Sequence, residues 1–133
     1  MSLTKSQTCY VLLGVVFIAL LFMKYYIVKD SYDGFQAGVD TFTMYYASWC
    51  PHCKDVKPIF KSWGSDKGSI QVNGKTVFVK LVEEQEMKSD DPNKGIVRGY
   101  PTFILNRAGN AQGIEFDGER SPEGWAGWLG TKL

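Results

Sequence analysis

The stretch TFTMYYASWCPHC, residues 41–53, decides the fold of this chain of 133 residues. Residues 41–46 are mostly β-branched or aromatic, which favours a β-strand. From Pro51 onward the apolar residues recur at helical spacing up to Gly64, which predicts an α-helix. Two cysteines separated by two residues therefore stand at the junction of a strand and a helix.

The sequence that follows predicts the rest of an α/β domain with one core and no internal repeat. The predicted elements are a hairpin around Asn73-Gly74, a central strand over 77–82, a short helix that begins at Ser89-Asp90-Asp91-Pro92 and ends before Gly99, strands over 100–105 and 113–116, and a last helix that begins at Ser121-Pro122.

The motif Cys50-Pro51-His52-Cys53 predicts thiol-disulfide chemistry. At a helix start the two cysteines can close a small disulfide ring, and we expect its first sulfur to be exposed and its second to be shielded. The helix N-terminus carries unpaired amides and about half a positive charge, which favours the Cys50 thiolate. Pro51 suits the first helical position because it needs no amide partner. A protonated His52 would add a positive charge beside the sulfur.

A lowered thiol pKa also sets the direction of the chemistry. A free cysteine with a pKa of about 8.5 is only about 3% thiolate at pH 7, whereas motifs of this kind lower the pKa to roughly 3.5–7. A stabilised thiolate is a good leaving group, so the oxidised pair passes its disulfide readily to another protein. We therefore expect an oxidant or isomerase more than a reductant.

Other interpretations of the cysteines stay open from spacing alone. A lone C-x-x-C can be half of a metal site, but the chain has no second pair, and His52 is its only histidine. The pair can also be a structural disulfide. The third cysteine, Cys9, is most simply a small apolar residue, with acylation or an intermolecular bridge as the alternative. We expect no metal and no bound cofactor.

The charge balance excludes one large class of partners. Lys and Arg number 15 against 14 Asp and Glu, so the net charge is +1, and no basic run is present. Non-specific nucleic-acid binding depends on a strong positive field, so we expect no nucleic-acid partner.

An apolar segment precedes the α/β domain. Residues 9–28 contain one charged residue, Lys24, and as a helix they would span about 30 Å, the thickness of a bilayer core. We predict a tail over 1–8, a transmembrane anchor over 9–28, a juncture over 29–37 and a folded domain over 38–133. A cleaved signal peptide is the alternative, although no small residues of a cleavage site follow the run. The flanking lysines do not fix the orientation.

Residues 38–133 resemble the thioredoxin superfamily, and within it most closely the catalytic domains of protein disulfide isomerases. The resemblance is carried by a strand that leads into Trp49-Cys50-x-x-Cys53-Lys54, by the helix proline Pro58, by Val97-Arg98-Gly99-Tyr100-Pro101-Thr102, where the family has a cis proline, and by Phe116-Asp117-Gly118-Glu119-Arg120-Ser121.

This resemblance implies a central mixed β-sheet flanked by helices, here preceded by one transmembrane helix. It implies that Cys50 attacks and that Cys53 resolves the mixed disulfide. The backbone of Tyr100 would receive an extended substrate segment. Trp49, Pro101 and Gly118 would line the substrate groove, and Arg120 would lower the pKa of the second cysteine.

Two positions depart from the family pattern. Met44 stands where the family usually has a buried carboxylate that transfers a proton to the second cysteine, so we expect slower resolution of mixed disulfides. Pro51-His52 differs from the Gly-His of most isomerases and equals the dipeptide of strongly oxidising periplasmic oxidases.

Taken together, these features predict a membrane-anchored thiol-disulfide oxidoreductase of oxidase or isomerase type. Its substrates would be protein thiols and disulfides, supplied by an upstream dithiol or disulfide donor, and its membrane contact would be residues 9–28. We expect its folded domain in an oxidising compartment, such as a secretory lumen, a periplasm or an outer membrane face. The alternatives are a cytosol-facing reductant and a non-catalytic module that binds clients in the groove around Pro101.

Overall fold

The computed structural model describes residues 4–30 and 38–133. Contacts within the chain divide it into two compact units, Met1–Phe35 and Gln36–Leu133. Most of the predicted juncture over 29–37 lies outside the described residues.

The first unit contains one long helix, α1, which spans Lys5–Asp30. The predicted apolar segment over 9–28 lies inside this helix, and the described side chains over 5–26 are exposed. Residues Lys5–Tyr26 are long and apolar enough to cross a membrane by length and composition, a test that a signal sequence also passes.

The second unit is built on a five-stranded mixed sheet in the order β2-β3-β1-β4-β5. Strand β1 pairs in parallel with β3, and the other neighbours pair antiparallel. The predicted mixed β-sheet with flanking helices is therefore confirmed. Its elements are β1 (Asp40–Tyr46), α2 (Pro51–Trp63), β2 (Ser69–Val72), β3 (Lys75–Glu83), β4 (Thr102–Asn106), β5 (Ile114–Glu115) and α3 (Pro122–Lys132), with single 3₁₀ turns at Ser65–Lys67 and Glu84–Glu86.

An aromatic core fixes the two helices of this unit to the sheet. Phe42 from the central strand lies within ring-contact distance of Phe60 on α2 and Trp128 on α3, with centroids 5.8 and 6.1 Å apart. Trp125 is fully buried and meets Phe60 edge-to-face at 5.0 Å. Such pairs add about 0.5–1.5 kcal/mol each to the burial of their area, so they fix α2 to the sheet.

The prediction of a short helix that begins at Ser89-Asp90-Asp91-Pro92 is wrong. The structure has hydrogen-bonded turns there and no α-helix. Asp91 accepts hydrogen bonds from the Tyr45 hydroxyl at 3.1 Å and from the Asn93 amide at 2.8 Å. A side chain that bonds its own backbone in this way competes with helical hydrogen bonding.

Buried polar contacts fix this segment to the sheet instead. Asn93 is 2% exposed and exchanges side-chain hydrogen bonds of 2.7 and 3.0 Å with Asn106 on β4. It also donates to the Tyr45 hydroxyl at 2.9 Å. Because these buried groups are satisfied by hydrogen bonds between the segment and strands β1 and β4, they fix the segment against the sheet. The chain continues to the bond between Tyr100 and Pro101. That bond is cis, as the resemblance implies, and β4 begins after it, at Thr102.

Candidate active site

The two cysteines of the C-x-x-C motif lie at the start of α2. Cys50 is the N-cap residue, with extended backbone dihedrals, and Pro51 occupies the first helical turn as predicted. No side chain caps this helix, and no acidic residue lies in its first turn. The amides of the turn are therefore left to the Cys50 sulfur.

Both thiols are unpaired and buried, so the structure describes the dithiol form of the site. Cys53 is 1% exposed and Cys50 only 5%, and both pack with Ala47 against the half-buried rings of Tyr46 and Tyr100. The expected shielding of Cys53 is confirmed, but the expected exposure of Cys50 is wrong. Tyr100 is the reason, because its ring packs on the pair and its carbonyl accepts a hydrogen bond from the Cys50 thiol at 3.4 Å.

The surroundings of Cys50 lower its thiol pKa from the ordinary value. The largest cause is the backbone amide of Cys53, and the Cys53 thiol, the His52 amide and the charge of Arg120 act in the same direction. Desolvation opposes them. The Cys50 thiolate is therefore the form that the start of the helix favours.

The pKa of Cys53 is raised instead. Burial is the largest cause, and the hydrogen bond and charge of Cys50 add to it, while the Ala47 backbone and Arg120 act against it. The contact between the two sulfurs thus favours loss of a proton from Cys50 over loss of a proton from Cys53.

Of the three residues predicted to tune the site, Pro51 begins the helix, and His52 and Arg120 are exposed. His52 is exposed, and its backbone amide rather than its imidazole is among the groups that act on Cys50. Arg120 is also exposed, and its charge lowers the pKa of both cysteines. Its loop runs closely over α3, since a Cβ on Gly124 would lie 2.1 Å from the Glu119 carbonyl oxygen.

The residues predicted to line the substrate groove differ in exposure and in their contacts. Trp49 is 66% exposed and meets the Tyr100 ring edge-to-face at 6.1 Å, while Pro101 is buried. Gly118 is exposed, and a Cβ there would lie 2.8 Å from the Phe116 ring. A side chain at position 118 would therefore collide with the buried Phe116 ring.

Sequence reasoning missed two carboxylates beside the motif. Glu83 accepts a hydrogen bond from the Ser48 hydroxyl, and Glu84 accepts one from the Trp49 indole at 2.8 Å. A prediction that β1 and β3 pair in parallel would have placed these carboxylates beside the motif, because Tyr46 lies opposite Glu83 in that register. The carboxyl ends of parallel strands meet at one edge, so residues that follow Glu83 meet residues that follow Tyr46.

Met44 lies in the core, as its place in β1 requires. It is fully buried and pairs with Leu81 and Phe103 on the neighbouring strands. No carboxylate is among the groups that shift the pKa of Cys53. Within the described residues, no three of the His, Cys, Asp and Glu side chains group as ligands for a metal ion.

Comparisons with known proteins agree with this geometry. The sequence pattern of the family described as Thioredoxin matches residues 28–130. The chain is 33% identical over 88 residues to protein disulfide isomerase-like 2-2 of Oryza sativa subsp. japonica, which covers 66% of this chain and 22% of that protein. It is 31% identical over 115 residues to protein disulfide-isomerase 1 of Dictyostelium discoideum, covering 83% and 31% of the two chains. The chain thus spans less than a third of the length of these relatives.

Solved structures of similar fold include members of the same family. The first thioredoxin domain of mouse protein disulfide-isomerase A4 superposes with a TM-score of 0.54 at 26% identity, covering 68% of this chain and 60% of that one. Human ERp44 superposes with a TM-score of 0.54 at 25% identity, covering 72% and 28%.

The opposite pKa shifts of the two thiols predict a two-step titration of the reduced protein. In a Cys9→Ser background, thiolate absorbance near 240 nm will rise first below the ordinary cysteine pKa, from Cys50, and again above it, from Cys53. Arg120→Gln will move both steps to higher pH, because a positive charge that favours both thiolates is lost. One step at the ordinary pKa, unaffected by Arg120→Gln, would contradict the assignment.

Proposed function

Because the chain belongs to the thioredoxin family, we propose that it is a membrane-anchored thiol-disulfide oxidoreductase that acts on protein substrates. Cys50 and Cys53 are its redox pair, and oxidation or isomerisation of disulfides is its reaction. The observation that carries the proposal is the lowered pKa of Cys50 beside the raised pKa of Cys53 at a helix start. The likeness to protein disulfide isomerases supports it.

The proposed reaction needs only the two sulfurs and the substrate. In oxidation, a substrate thiolate attacks the Cys50 sulfur of the Cys50–Cys53 disulfide, the bond between the two sulfurs breaks, and Cys53 leaves as a thiolate and takes up a proton. A second substrate thiolate then attacks the sulfur of its own chain in the mixed disulfide and expels Cys50. The substrate loses two electrons and the pair gains them. An upstream disulfide donor reoxidises the pair.

Isomerisation begins from the dithiol. The Cys50 thiolate attacks a substrate disulfide, and the mixed disulfide is resolved either by another substrate thiolate or by Cys53. Domains of the thioredoxin family use such a redox-active pair without a bound cofactor.

The direction of exchange follows from which sulfur leaves best. The amides of Cys53 and His52 and the charge of Arg120 stabilise the Cys50 thiolate. A more stable thiolate makes the dithiol form more favourable and the disulfide more oxidising. This favours an oxidase or isomerase in an oxidising compartment over a cytosol-facing reductant.

We assign substrate binding to the rim formed by Trp49, Tyr100, Pro101 and Gly118. The Tyr100 carbonyl lies within hydrogen-bond distance of the Cys50 sulfur, so an extended chain bonded to that backbone would present its own cysteine to Cys50.

Catalysis through Cys50 predicts complete dependence on that residue. The full chain in detergent will reactivate scrambled ribonuclease and reduce insulin, and Cys50→Ser will bring both rates down to the uncatalysed level because the nucleophile is lost. Cys9→Ser is the matched control and will keep both activities. If Cys50→Ser retains activity, the catalytic proposal fails and a client-binding module becomes the better interpretation. Equilibration with glutathione then separates an oxidant, near about −120 mV, from a reductant, near about −270 mV.

The apolar environment of Met44 predicts slow resolution of mixed disulfides. Met44→Glu will place a titratable carboxylate on β1 in the core and accelerate the release of a single-cysteine fluorescent peptide from Cys50 by at least about tenfold. A well-positioned general base typically contributes roughly 10²–10⁴-fold. Stopped-flow fluorescence measures the release. Met44→Gln is the control, because it buries a polar group of the same size that cannot take the proton. Equal rates for the Glu and Gln variants, both shown folded by circular dichroism, would contradict the prediction.

We also propose that α1 anchors the protein. Its segment Lys5–Tyr26 is long and apolar enough to span a bilayer, and its described side chains are exposed in the structure. The full chain will remain in the membrane pellet after alkaline carbonate extraction, at its full mass. Protease treatment of sealed vesicles will show which side carries the folded domain. Release of a shortened chain into the supernatant would indicate a cleaved signal peptide instead.

A further inference from the structure

Access to the Cys50 sulfur is restricted in this structure. Cys50 is 5% exposed although it is the sulfur that must meet a substrate. The Tyr100 ring packs on the cysteine pair, and the Tyr100 carbonyl accepts a hydrogen bond from the Cys50 thiol. Tyr100 therefore borders the approach of a substrate cysteine to Cys50.

Trp49 supports Tyr100 in this position. The two rings meet edge-to-face, with centroids 6.1 Å apart and planes at 89°. Trp49 is otherwise 66% exposed, and an exposed aromatic side chain without a polar partner exchanges rotamers rapidly. A second contact is needed to keep the indole against Tyr100.

Glu84 provides that contact. Its carboxylate accepts a hydrogen bond from the Trp49 indole nitrogen at 2.8 Å. The neighbouring Glu83 accepts one from Ser48, so two consecutive acceptors hold two consecutive residues of the segment before Cys50. Hydrogen bonds to an ionised carboxylate are stronger than neutral ones, even where solvent weakens them.

The backbone places Glu84 at the point where β3 gives way to a 3₁₀ turn. Glu83 ends β3, and Glu84 begins the 3₁₀ turn Glu84–Glu86. The charge of Glu84 also contributes to raising the pKa of the Tyr100 phenol, after burial, which agrees with a carboxylate lying near both rings.

We propose that Glu84 is a positioning residue that holds Trp49 against Tyr100 and thereby controls the access of substrate to the Cys50 sulfur. The proposal rests on the proposed function only in taking Cys50 as the reacting sulfur. It is independent of whether the exchange runs as oxidation, isomerisation or reduction.

The test measures access and acidity separately. The reduced full chain in detergent is alkylated with iodoacetamide across a series of pH values, and tandem mass spectrometry locates the label on Cys50. The pH at half-maximal rate reports the acidity of the thiol, whereas the rate at the high-pH plateau reports access to the thiolate. Alkylation needs no turnover, so its outcome is distinct from that of the Cys50→Ser assay.

Glu84→Ala is expected to raise the plateau rate about fivefold, the factor that corresponds to the loss of one hydrogen bond. Glu84→Gln keeps an acceptor oxygen without the charge and is expected to restore most of the wild-type plateau. Glu86→Ala is the matched control, because it removes a carboxylate of the same turn that makes no hydrogen bond to Trp49 among the described residues. Its plateau is expected to equal the wild-type value.

Trp49→Phe tests the other end of the contact. It keeps a ring beside Tyr100 but loses the indole N–H, so its plateau is expected to rise like that of Glu84→Ala, and the double variant is expected to rise no further. An unchanged plateau in Glu84→Ala overturns the proposal. So does a Glu86→Ala plateau that rises as far as that of Glu84→Ala, because the loss of any carboxylate of the turn would then be sufficient.

Discussion

The hydrogen bonds that the first turn of α2 offers to the Cys50 sulfur are the interaction on which the site depends. Helix starts leave backbone amides unpaired, and an Asp, Ser or Asn at the N-cap ordinarily satisfies them with a side-chain oxygen. Here the N-cap is Cys50, with no side-chain cap, so the amides are left to stabilise a thiolate. That stabilisation requires the helix start to be fixed relative to the sheet. The aromatic contacts of Phe60 on α2 with Phe42 and Trp125 provide this anchorage from within the core.

The register of the sheet explains why three segments that are distant in the sequence lie at one edge of the sheet. Strand β1 is central, β3 runs parallel to it and β4 antiparallel. The carboxyl ends of β1 and β3 and the amino end of β4 therefore lie at the same edge. Cys50 follows β1, Glu84 follows β3, and Pro101 precedes β4. The contacts among Trp49, Tyr100 and Glu84 are consequences of this arrangement.

The parts of the structure that depend on local sequence were predictable, and the parts that depend on distant partners were not. The strand over 41–46, the helix start at Pro51 and the mixed sheet follow from residue type, spacing and the family resemblance. The helix predicted from Ser89 failed because Asp91 and Asn93 find hydrogen-bond partners on β1 and β4, which no local pattern shows. The burial of Cys50 was missed for the same reason, since the residue that covers it lies fifty positions away in the chain.

The contact between the two thiols has opposite effects on the acidity of the two sulfurs. In the dithiol it lowers the pKa of Cys50 and raises that of Cys53, so the sulfur proposed to attack gains its charge at the cost of the sulfur proposed to resolve the mixed disulfide. Once Cys50 is joined to a substrate it carries no charge, and the contributions of its charge and its hydrogen bond to the pKa of Cys53 end. Burial then remains as the cause that raises the Cys53 pKa, opposed by the Ala47 backbone and by Arg120. Among the groups that shift the Cys53 pKa, Arg120 is the charge that favours the Cys53 thiolate, and its effect is smaller than that of the Ala47 backbone. In the proposed reaction the exposed Arg120 would therefore favour both the attacking and the resolving thiolate.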